Sequence, residues 1–314
     1  MTEPMRVRND AGLGYGAVLV VVFLWGMGPL FVRAVDASAL TIATARNWIA
    51  VPVAILIAYV VKAPLTWQWL RASIPGGVCF AIAQTLGFAS FQETSLAIAA
   101  IIGAISPLVI VIVAVPLFGE RLTGKQIALM GLAFAGVLAV VLGADSGGDA
   151  SLFGDLLAFG SLFAMTAYLL LMKQARMQDV PAAAYVAGVF LVCAILVTPI
   201  DLLWGDGLSA IVGFDWLWIV LLAVFAGCFG HTLMTWAQRH VNVGVASILM
   251  LATTVLTAAG GWIFFGQELT VVQIVAGFVV LVALGGVLLL QLADPHRPPG
   301  VPLPLELAEP PTAE

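Results

Sequence analysis

An arginine inside an apolar stretch is the residue whose chemistry most needs an explanation. Arg46, with Asn47 beside it, lies in the apolar run 40–61. A charge within such a run is costly, so it usually faces a cavity or a partner group. A guanidinium there can hold a carboxylate or a phosphate through paired hydrogen bonds. It can equally play a structural role by bonding helix-end carbonyls or by extending towards Asp36, and both interpretations stay open.

A second polar pattern lies near residue 235. His231, Thr235 and Gln238 are spaced by four and then three residues, so they share one face of a helix. Subtracting 147, the repeat offset derived below, gives positions 84, 88 and 91, which are Gln84, Phe88 and Phe91. These two faces are candidates for cavity walls, although packing through interhelical hydrogen bonds explains them as well. Histidine has a reference pKa of about 6.5, so His231 is either a proton relay or a packing residue.

The remaining candidates are hydroxyl and aromatic side chains inside apolar runs. Proline at position 107 follows a serine within its run and predicts a kink. The aromatic candidates can close a cavity with apolar bulk or simply pack. The set comprises Ser106, Thr253, Thr254, Thr257, Trp25 and Tyr168.

Several kinds of chemistry have no motif in this sequence. There is no nucleotide-binding phosphate loop, no metal-ligand spacing and no nucleophile–base–acid set. The three cysteines lie in apolar runs and are interpreted as core residues. We therefore predict no catalytic residue, metal, cofactor or nucleic-acid partner. Asp155 and Asp215 are interpreted as helix-start residues and not as ion-coupling carboxylates inside a helix. The coupling mechanism therefore stays open among facilitated diffusion, proton exchange through His231 and substrate exchange.

The elements that must position these residues follow from composition. The chain has 314 residues, of which 62% are hydrophobic and 9% charged, whereas soluble domains carry about 25% charge. Its apolar runs approach the ~20 residues that a spanning helix needs. The sequence predicts an all-α polytopic membrane protein, with helices at 13–35, 40–61, 72–92, 95–118, 124–143, 153–173, 182–203, 215–237, 243–265 and 270–291. Arg46 is the only basic residue placed inside a helix, because Lys173 marks a predicted helix end.

An internal repeat divides these helices into two sets of five. The segment Gly119-Glu120-Arg121-Leu122-Thr123 with Gln126 recurs as Gly266-Gln267-Glu268-Leu269-Thr270 with Gln273. The offset, 266 − 119 = 147, is close to half the chain, which indicates a duplicated half. Because five is odd, the second half crosses the membrane in the opposite sense. Inverted repeats of this kind are the architecture of many secondary transporters.

The basic residues predict the orientation. With both termini on the cytoplasmic side, ten of the twelve lysines and arginines fall on that side, only Arg33 falls outside, and Arg46 lies within a helix. This distribution follows the positive-inside rule. We expect a cytoplasmic tail at 1–12, a first repeat at 13–143, an extracytoplasmic linker at 144–152, a second repeat at 153–291 and a disordered Pro/Glu-rich tail at 292–314.

The sequence resembles EamA-type members of the drug/metabolite transporter superfamily. The likeness rests on Trp25-Gly26, on Arg46, on the run from Thr94 to Pro107, and on the recurring Gly-Glu-x-Leu-Thr segment with its glutamine. It implies ten helices and movement of small metabolites, often amino acids. Two departures are Gln267 in place of the usual Glu, and the lack of an arginine in helix 7 to match Arg46.

We therefore expect a secondary transporter that moves a small metabolite, such as an amino acid or a related compound, across the cytoplasmic membrane by alternating access, with export favoured. Its partners are the substrate and the lipid bilayer, with proton coupling and a homodimer left open. The alternatives are a membrane-embedded enzyme or lipid-handling protein, and a structural subunit that transports nothing.

Overall fold

The fold of the chain consists of helices and the turns between them. The computed structural model describes residues 3–93, 102–119, 122–142, 151–266 and 269–293, and no strand occurs within these ranges. The helices are α1 Glu3–Arg33, α2 Ala39–Val60, α3 Trp67–Glu93, α4 Ser106–Phe118, α5 Gly124–Leu142, α6 Leu152–Met177, α7 Ala182–Trp204, α8 Asp215–Ala237, α9 in two parts, Val243–Leu249 and Ala252–Phe265, and α10 Val271–Ala293.

Helix length and hydropathy support the predicted membrane fold. Nine helices of the described residues are long and apolar enough to span a membrane, and a shorter apolar helix covers Ile102–Ala114. The predicted start of that helix, at 95, lies outside the described residues, as do the side chain of Phe91, residues 144–150 of the predicted linker, and residues 294–314 of the predicted tail. The chain is an all-α, polytopic membrane protein, as the sequence predicts.

Three helices extend beyond their predicted limits. Helix α1 begins at Glu3, inside the predicted tail, and α3 begins at Trp67 instead of 72. Helix α6 continues past Lys173 to Met177, so Arg46 is not the only basic residue within a helix, and that expectation was wrong. Apolar length predicts the spanning part of a helix, whereas a helix can continue wherever its polar side chains find partners.

The repeated segment has the same structure in both halves. Gly119 and Gly266 have φ of 65° and 63°, a left-handed conformation that favours glycine at a helix end. In the first half the backbone N–H of Thr123 donates to Gln126 Oε1 at 2.8 Å, and the N–H of Gln126 donates to Thr123 Oγ1 at 3.2 Å. The same pair of bonds, at 2.9 and 3.2 Å, joins Thr270 and Gln273. Each pair is a capping box, which explains why the glutamines recur. Residues 120, 121, 267 and 268 lie outside the described ranges.

The helices pack in a pattern that the duplication predicts. Helix α1 packs along α8, and its counterpart α6 packs along α3. Helix α2 packs along its own counterpart α7, and α5 along its counterpart α10. The two halves are therefore interlocked, and the helices that carry the candidate residues meet where the repeats join.

Two helices carry irregular segments beside this junction. Helix α9 is interrupted at Met250 and Leu251, and the first half has a break at Ile105, between the helical residues 102–104 and α4. By the repeat offset Ile105 corresponds to position 252, next to the interruption in α9. Pro107 follows the first break by two residues, yet the second half has Thr254 at the matching position, so proline is not required for it. In α8, residues Leu222–Phe229 form a π-helical segment. Such segments re-aim the side chains that follow them.

Candidate functional site

A cavity of about 250 Å³ lies where the two repeats meet. Five helices form its walls: α1, α2 and α3 of the first repeat, and α6 and α8 of the second. Its lining is mainly apolar and aromatic, with a few polar groups. The lining residues are Trp25, Gly28, Pro29, Val32, Arg46, Phe80, Ala83, Gln84, Gly87, Phe88, Ser161, Met165, Leu222, Ala226 and His231.

Arg46 supplies the charge in this cavity. The residue is 5% exposed, and its guanidinium carbon lies 5.5 Å from the ring centre of Phe80 and 5.8 Å from that of Phe190. Its Nε is buried without a hydrogen-bond partner. Within the described part of the chain, the side chain has no carboxylate or carbonyl partner, so neither structural alternative has a contact to support it. Its geometry leaves the guanidinium available to a ligand.

His231 forms the centre of an aromatic cluster on the same cavity. Its Nδ1 lies 2.9 Å from the hydroxyl of Tyr168, a residue that is itself fully buried. The ring centres of Trp25 and Phe80 each lie 4.8 Å from that of His231. Contacts on several sides fix the imidazole, and the bond to Tyr168 leaves Nε2 as its other hydrogen-bonding atom.

The π-helical segment of α8 connects the aromatic cluster to α1. Trp25 Nε1 donates to the carbonyl of Ala226, within that segment, at 3.0 Å. Gly230, which follows it, would place a Cβ 2.6 Å from Trp25 Nε1, so a larger residue would displace the indole. The close approach of α1 and α8 therefore fixes the position of Trp25 beside His231.

A chain of polar side chains links the two repeats behind the cavity. Asn47 Nδ2 donates to Cys193 Sγ at 3.2 Å, and this thiol lies 3.7 Å from Gln84 Oε1. Gln84 Nε2 and Asn47 Oδ1 are buried without partners. Cys193 occupies the position that matches Arg46, since 46 + 147 = 193. Cys193 is a buried core residue, as the sequence predicts, and the repeat offset applied to Arg46 identifies its position.

The structure brings five of the predicted site residues to the cavity wall: Trp25, Arg46, Gln84, Phe88 and His231. Tyr168 and Asn47 lie behind the wall and contact cavity residues or their neighbours. The other candidates with described side chains do not line the cavity. Four hydroxyl groups bond backbone carbonyls or another hydroxyl, namely Thr235 to His231 O, Thr253 to Met250 O, Thr257 to Gly26 O, and Ser106 with Thr166. The remaining two are Gln238, fully buried with both amide atoms unpartnered, and the half-buried Thr254.

Sequence reasoning missed the apolar part of the wall. Phe80 and Phe190 provide the two rings beneath Arg46, and Ser161 and Met165 provide the α6 side. Each lies in an apolar run, where hydropathy does not distinguish a cavity residue from a lipid-facing one. Ser161 donates to Ala83 O at 2.8 Å and joins α6 to α3 beside the cavity.

The opposite end of the bundle is closed by buried contacts. Lys173, 1% exposed, donates through Nζ to the carbonyls of Gln238 and Val241, both at 2.7 Å. The backbone N–H of Asn242 donates to the hydroxyl of Tyr15 at 3.3 Å. Helices α1, α6 and α8 are thus held together where α8 ends. The cavity lies in the other half of the bundle, between the buried Arg46 and the half-buried rim residues Val32 and Phe88.

Two further features of the described residues bear on the site. No group of three or more His, Cys, Asp or Glu side chains among them has an arrangement that can hold a metal ion. A second groove, of about 480 Å³, lies between α5 and α10, and its walls are apolar. The polar groups that can recognise a ligand are therefore concentrated in the cavity that contains Arg46.

Known proteins match the chain over both repeats. The profile of the EamA-like transporter family matches residues 12–142 and 152–290. An uncharacterized transporter of Archaeoglobus fulgidus is 27% identical over 199 residues, which cover 62% of this chain and 67% of that protein. A crystal structure superposes with a TM-score of 0.74 at 20% identity, over 90% of this chain and 98% of the other, a likeness that shows the fold. The chain belongs to the EamA-like transporter family of the drug/metabolite transporter superfamily and is a membrane transporter.

Proposed function

We propose that this transporter exports a small metabolite across the cytoplasmic membrane by alternating access, and that Arg46 binds a negatively charged group of the substrate. The observation that carries the proposal is a buried guanidinium without a partner, in a cavity between two inverted repeats. Burying such a charge is costly unless something compensates it. A substrate anion supplies that compensation each time the cavity is occupied.

The closed end of the bundle supports alternating access. The cavity lies in one half, and the contacts of Lys173 and Tyr15 seal the other half. A carrier needs this combination in each of its two states, with the sealed half exchanged. The interlocked packing of α2 with α7, and of α1 with α8, provides interfaces on which the two halves can rock.

The orientation is part of the proposal and has its own test. The ten basic residues assigned to one side favour cytoplasmic termini, which places the cavity in the extracytoplasmic half. Single cysteines replace Gly147 and Pro298 in a cysteine-free background. An impermeant thiol reagent added outside intact cells should label position 147 and not position 298. The reverse pattern would invert the topology and the assigned direction.

The transport test begins with cells. Metabolite profiles of cells that over-express or lack the protein identify the compounds whose export changes. The purified protein is then reconstituted into liposomes, and flux of each compound is measured for wild type, Arg46→Ala and the exposed control Arg71→Ala. Arg46→Ala should abolish flux while Arg71→Ala retains it. Equal flux in all three would remove Arg46 from the proposed site, and no flux in wild type would favour a non-transporting role.

The reconstituted liposomes also test whether transport is coupled to protons. His231 lines the cavity and is the group that can exchange a proton there. We propose that an imposed pH gradient drives flux through this residue. Accumulation driven by the gradient should be lost in His231→Phe, while exchange of labelled for unlabelled substrate continues. Gradient-driven accumulation that persists in His231→Phe would contradict this part of the proposal.

A further inference from the structure

We infer that the substrate is a small organic monocarboxylate with an apolar body of aromatic size and without an ammonium group. This inference rests on the proposed function, because it takes the cavity containing Arg46 as the substrate site. It departs from the amino acids that the family resemblance suggests. Three features carry it: one positive charge, no acidic group on the wall, and aromatic surfaces around a small volume.

The charge of the wall matches one negative charge. Arg46 is the one lysine or arginine among the lining residues, and Lys173 is held by backbone carbonyls at the closed end. A guanidinium binds a carboxylate through two parallel hydrogen bonds. A phosphate monoester would bring about −1.5 to −2 charges at neutral pH, and part of that charge would lack a cation in the cavity. The wall therefore favours a carboxylate over a phosphate.

The described part of the wall lacks a carboxylate that could pair with an ammonium. None of the described residues that line the cavity is acidic. The buried Asp201 accepts a hydrogen bond from Thr41 at 2.8 Å and is not part of the wall. In an α-amino acid the ammonium is two bonds from the carboxylate carbon, so it would enter the neighbourhood of Arg46. It would lose its hydration there beside a like charge, and that loss is unfavourable.

The atoms that remain unpartnered near Arg46 are mostly donors. Arg46 Nε and Gln84 Nε2 are both buried without a partner. When Tyr168 donates to Nδ1 of His231, the Nε2 of that ring carries a hydrogen and is a third donor. The unpartnered acceptor Asn47 Oδ1 belongs to a side chain that does not line the cavity. A carboxylate, which accepts several hydrogen bonds, fits this set better than an ammonium, which only donates.

The remainder of the wall selects an apolar, planar body. Trp25, Phe80 and Phe88 are the aromatic lining residues, and Leu222 and Met165 add apolar surface. Aromatic rings can also attract an ammonium, but the guanidinium of Arg46 already covers the rings of Phe80 and Phe190. The volume of about 250 Å³ falls below the ~300–1,000 Å³ of pockets for drug-sized ligands. A single ring with a short acidic side chain suits this space.

Four compounds that share a phenyl ring on a two-carbon chain, and differ in the charged group, test the inference. They are 3-phenylpropanoate, phenylalanine, phenethylamine and phenethyl phosphate, with butanoate as the probe without a ring. Binding to the purified full-length protein is measured by thermal shift and by calorimetry. We expect 3-phenylpropanoate to bind at least tenfold more tightly than each of the other four, and its binding to disappear in Arg46→Met. Failure of 3-phenylpropanoate to bind, or tighter binding of phenylalanine, would overturn the inference.

The outcomes separate this inference from the proposed function. Phenylalanine that binds more tightly but still depends on Arg46 would overturn the substrate class and leave the site intact. Binding of any probe that is unchanged in Arg46→Met would reject the site itself. Gln84→Glu provides an independent test, because it adds a carboxylate to the wall. It should raise the affinity for phenylalanine relative to 3-phenylpropanoate by tenfold or more, and an unchanged ratio would contradict the argument.

Discussion

Replacing Arg46 by methionine should stabilise the empty protein and weaken its binding of an anion. The chain offers a matched comparison, because Arg46 and Lys173 are both buried cations with 5% and 1% exposure. Arg46 has no hydrogen-bond or ionic partner within the described residues. Lys173 donates to two carbonyls at 2.7 Å. The same substitution at the two positions therefore isolates the effect of an unpaired charge.

The magnitudes follow from these contacts. The two rings beneath Arg46, at 5.5 and 5.8 Å, recover about 0.5–2 kcal/mol each, whereas burying the charge costs several kcal/mol. We expect Arg46→Met to raise the free energy of unfolding by about 1–3 kcal/mol. Lys173→Met removes two hydrogen bonds to a charged donor, worth about 1.5–3 kcal/mol each. It should lower the free energy of unfolding by about 2–5 kcal/mol.

For anion binding, the larger loss should come from Arg46→Met and the smaller loss from Lys173→Met. Losing a charge-assisted pair costs about 2–5 kcal/mol, so Arg46→Met should weaken binding of an anion by about 30-fold to several thousandfold. Arg46→Lys should restore little of it, because an ammonium keeps the charge but loses the planar fork. Lys173→Met should retain affinity in the molecules that fold. Melting temperature without ligand and calorimetric affinity measure the two quantities separately.

Two results would refute this reasoning. If Arg46→Met lowers the melting temperature as much as Lys173→Met does, the arginine has a structural partner and its role is stability. If Arg46→Met melts higher but binds the anion as tightly as wild type, the charge does not contact the ligand. In the second case, the face of α8 formed by His231, Thr235 and Gln238 becomes the better candidate for substrate recognition.

Two further pairs test the packing around the site. Thr41 donates to the buried carboxylate of Asp201 at 2.8 Å, whereas the hydroxyl of Thr44, in the same helix, is buried without a partner. Thr41→Val should therefore cost about 1–3 kcal/mol in detergent melting experiments, and Thr44→Val should be neutral or stabilising; equal losses would contradict the assigned bonds. Gly136 would place a Cβ 2.6 Å from a side chain of α10, while Gly131 has open space. Gly136→Ala should lower the melting temperature and Gly131→Ala should not, unless α5 and α10 pack differently.

The sequence predicted the fold because helix spans in a membrane depend on simple physical quantities. Apolar length predicted nine spans, and the offset of 147 predicted the duplicated half, whose two recurring segments form matched capping boxes in the structure. The irregular segments were less predictable. The π-helical segment Leu222–Phe229 contains no proline, and it lies where α8 packs against α1. A local sequence pattern does not record contacts between helices that are distant in the chain.

Site residues were predictable from the sequence only where burying that type of side chain in an apolar run costs free energy. Arg46, Gln84 and His231 were identified because a polar group inside such a run needs a reason. Phe80 and Phe190 could not be identified, since an aromatic residue in an apolar run faces lipid, core or cavity with the same hydropathy. Thr235 and Thr253 do not reach the cavity because each hydroxyl bonds a backbone carbonyl three or four residues earlier in the chain.

Under the proposed alternating-access mechanism, the pairing of Arg46 with Cys193 at matching positions makes the two faces of the carrier inequivalent. If the repeats were identical, the outward-facing and inward-facing states would be related by a two-fold rotation, with equal affinities and equal occupancy when empty. A guanidinium in one half and a thiol in the other removes that equivalence, because each state exposes the charge to a different set of neighbours. Around a closed cycle without an energy source, the product of the equilibrium constants must equal one. Any preference of the empty carrier for one face must therefore be balanced by the ratio of its affinities on the two faces.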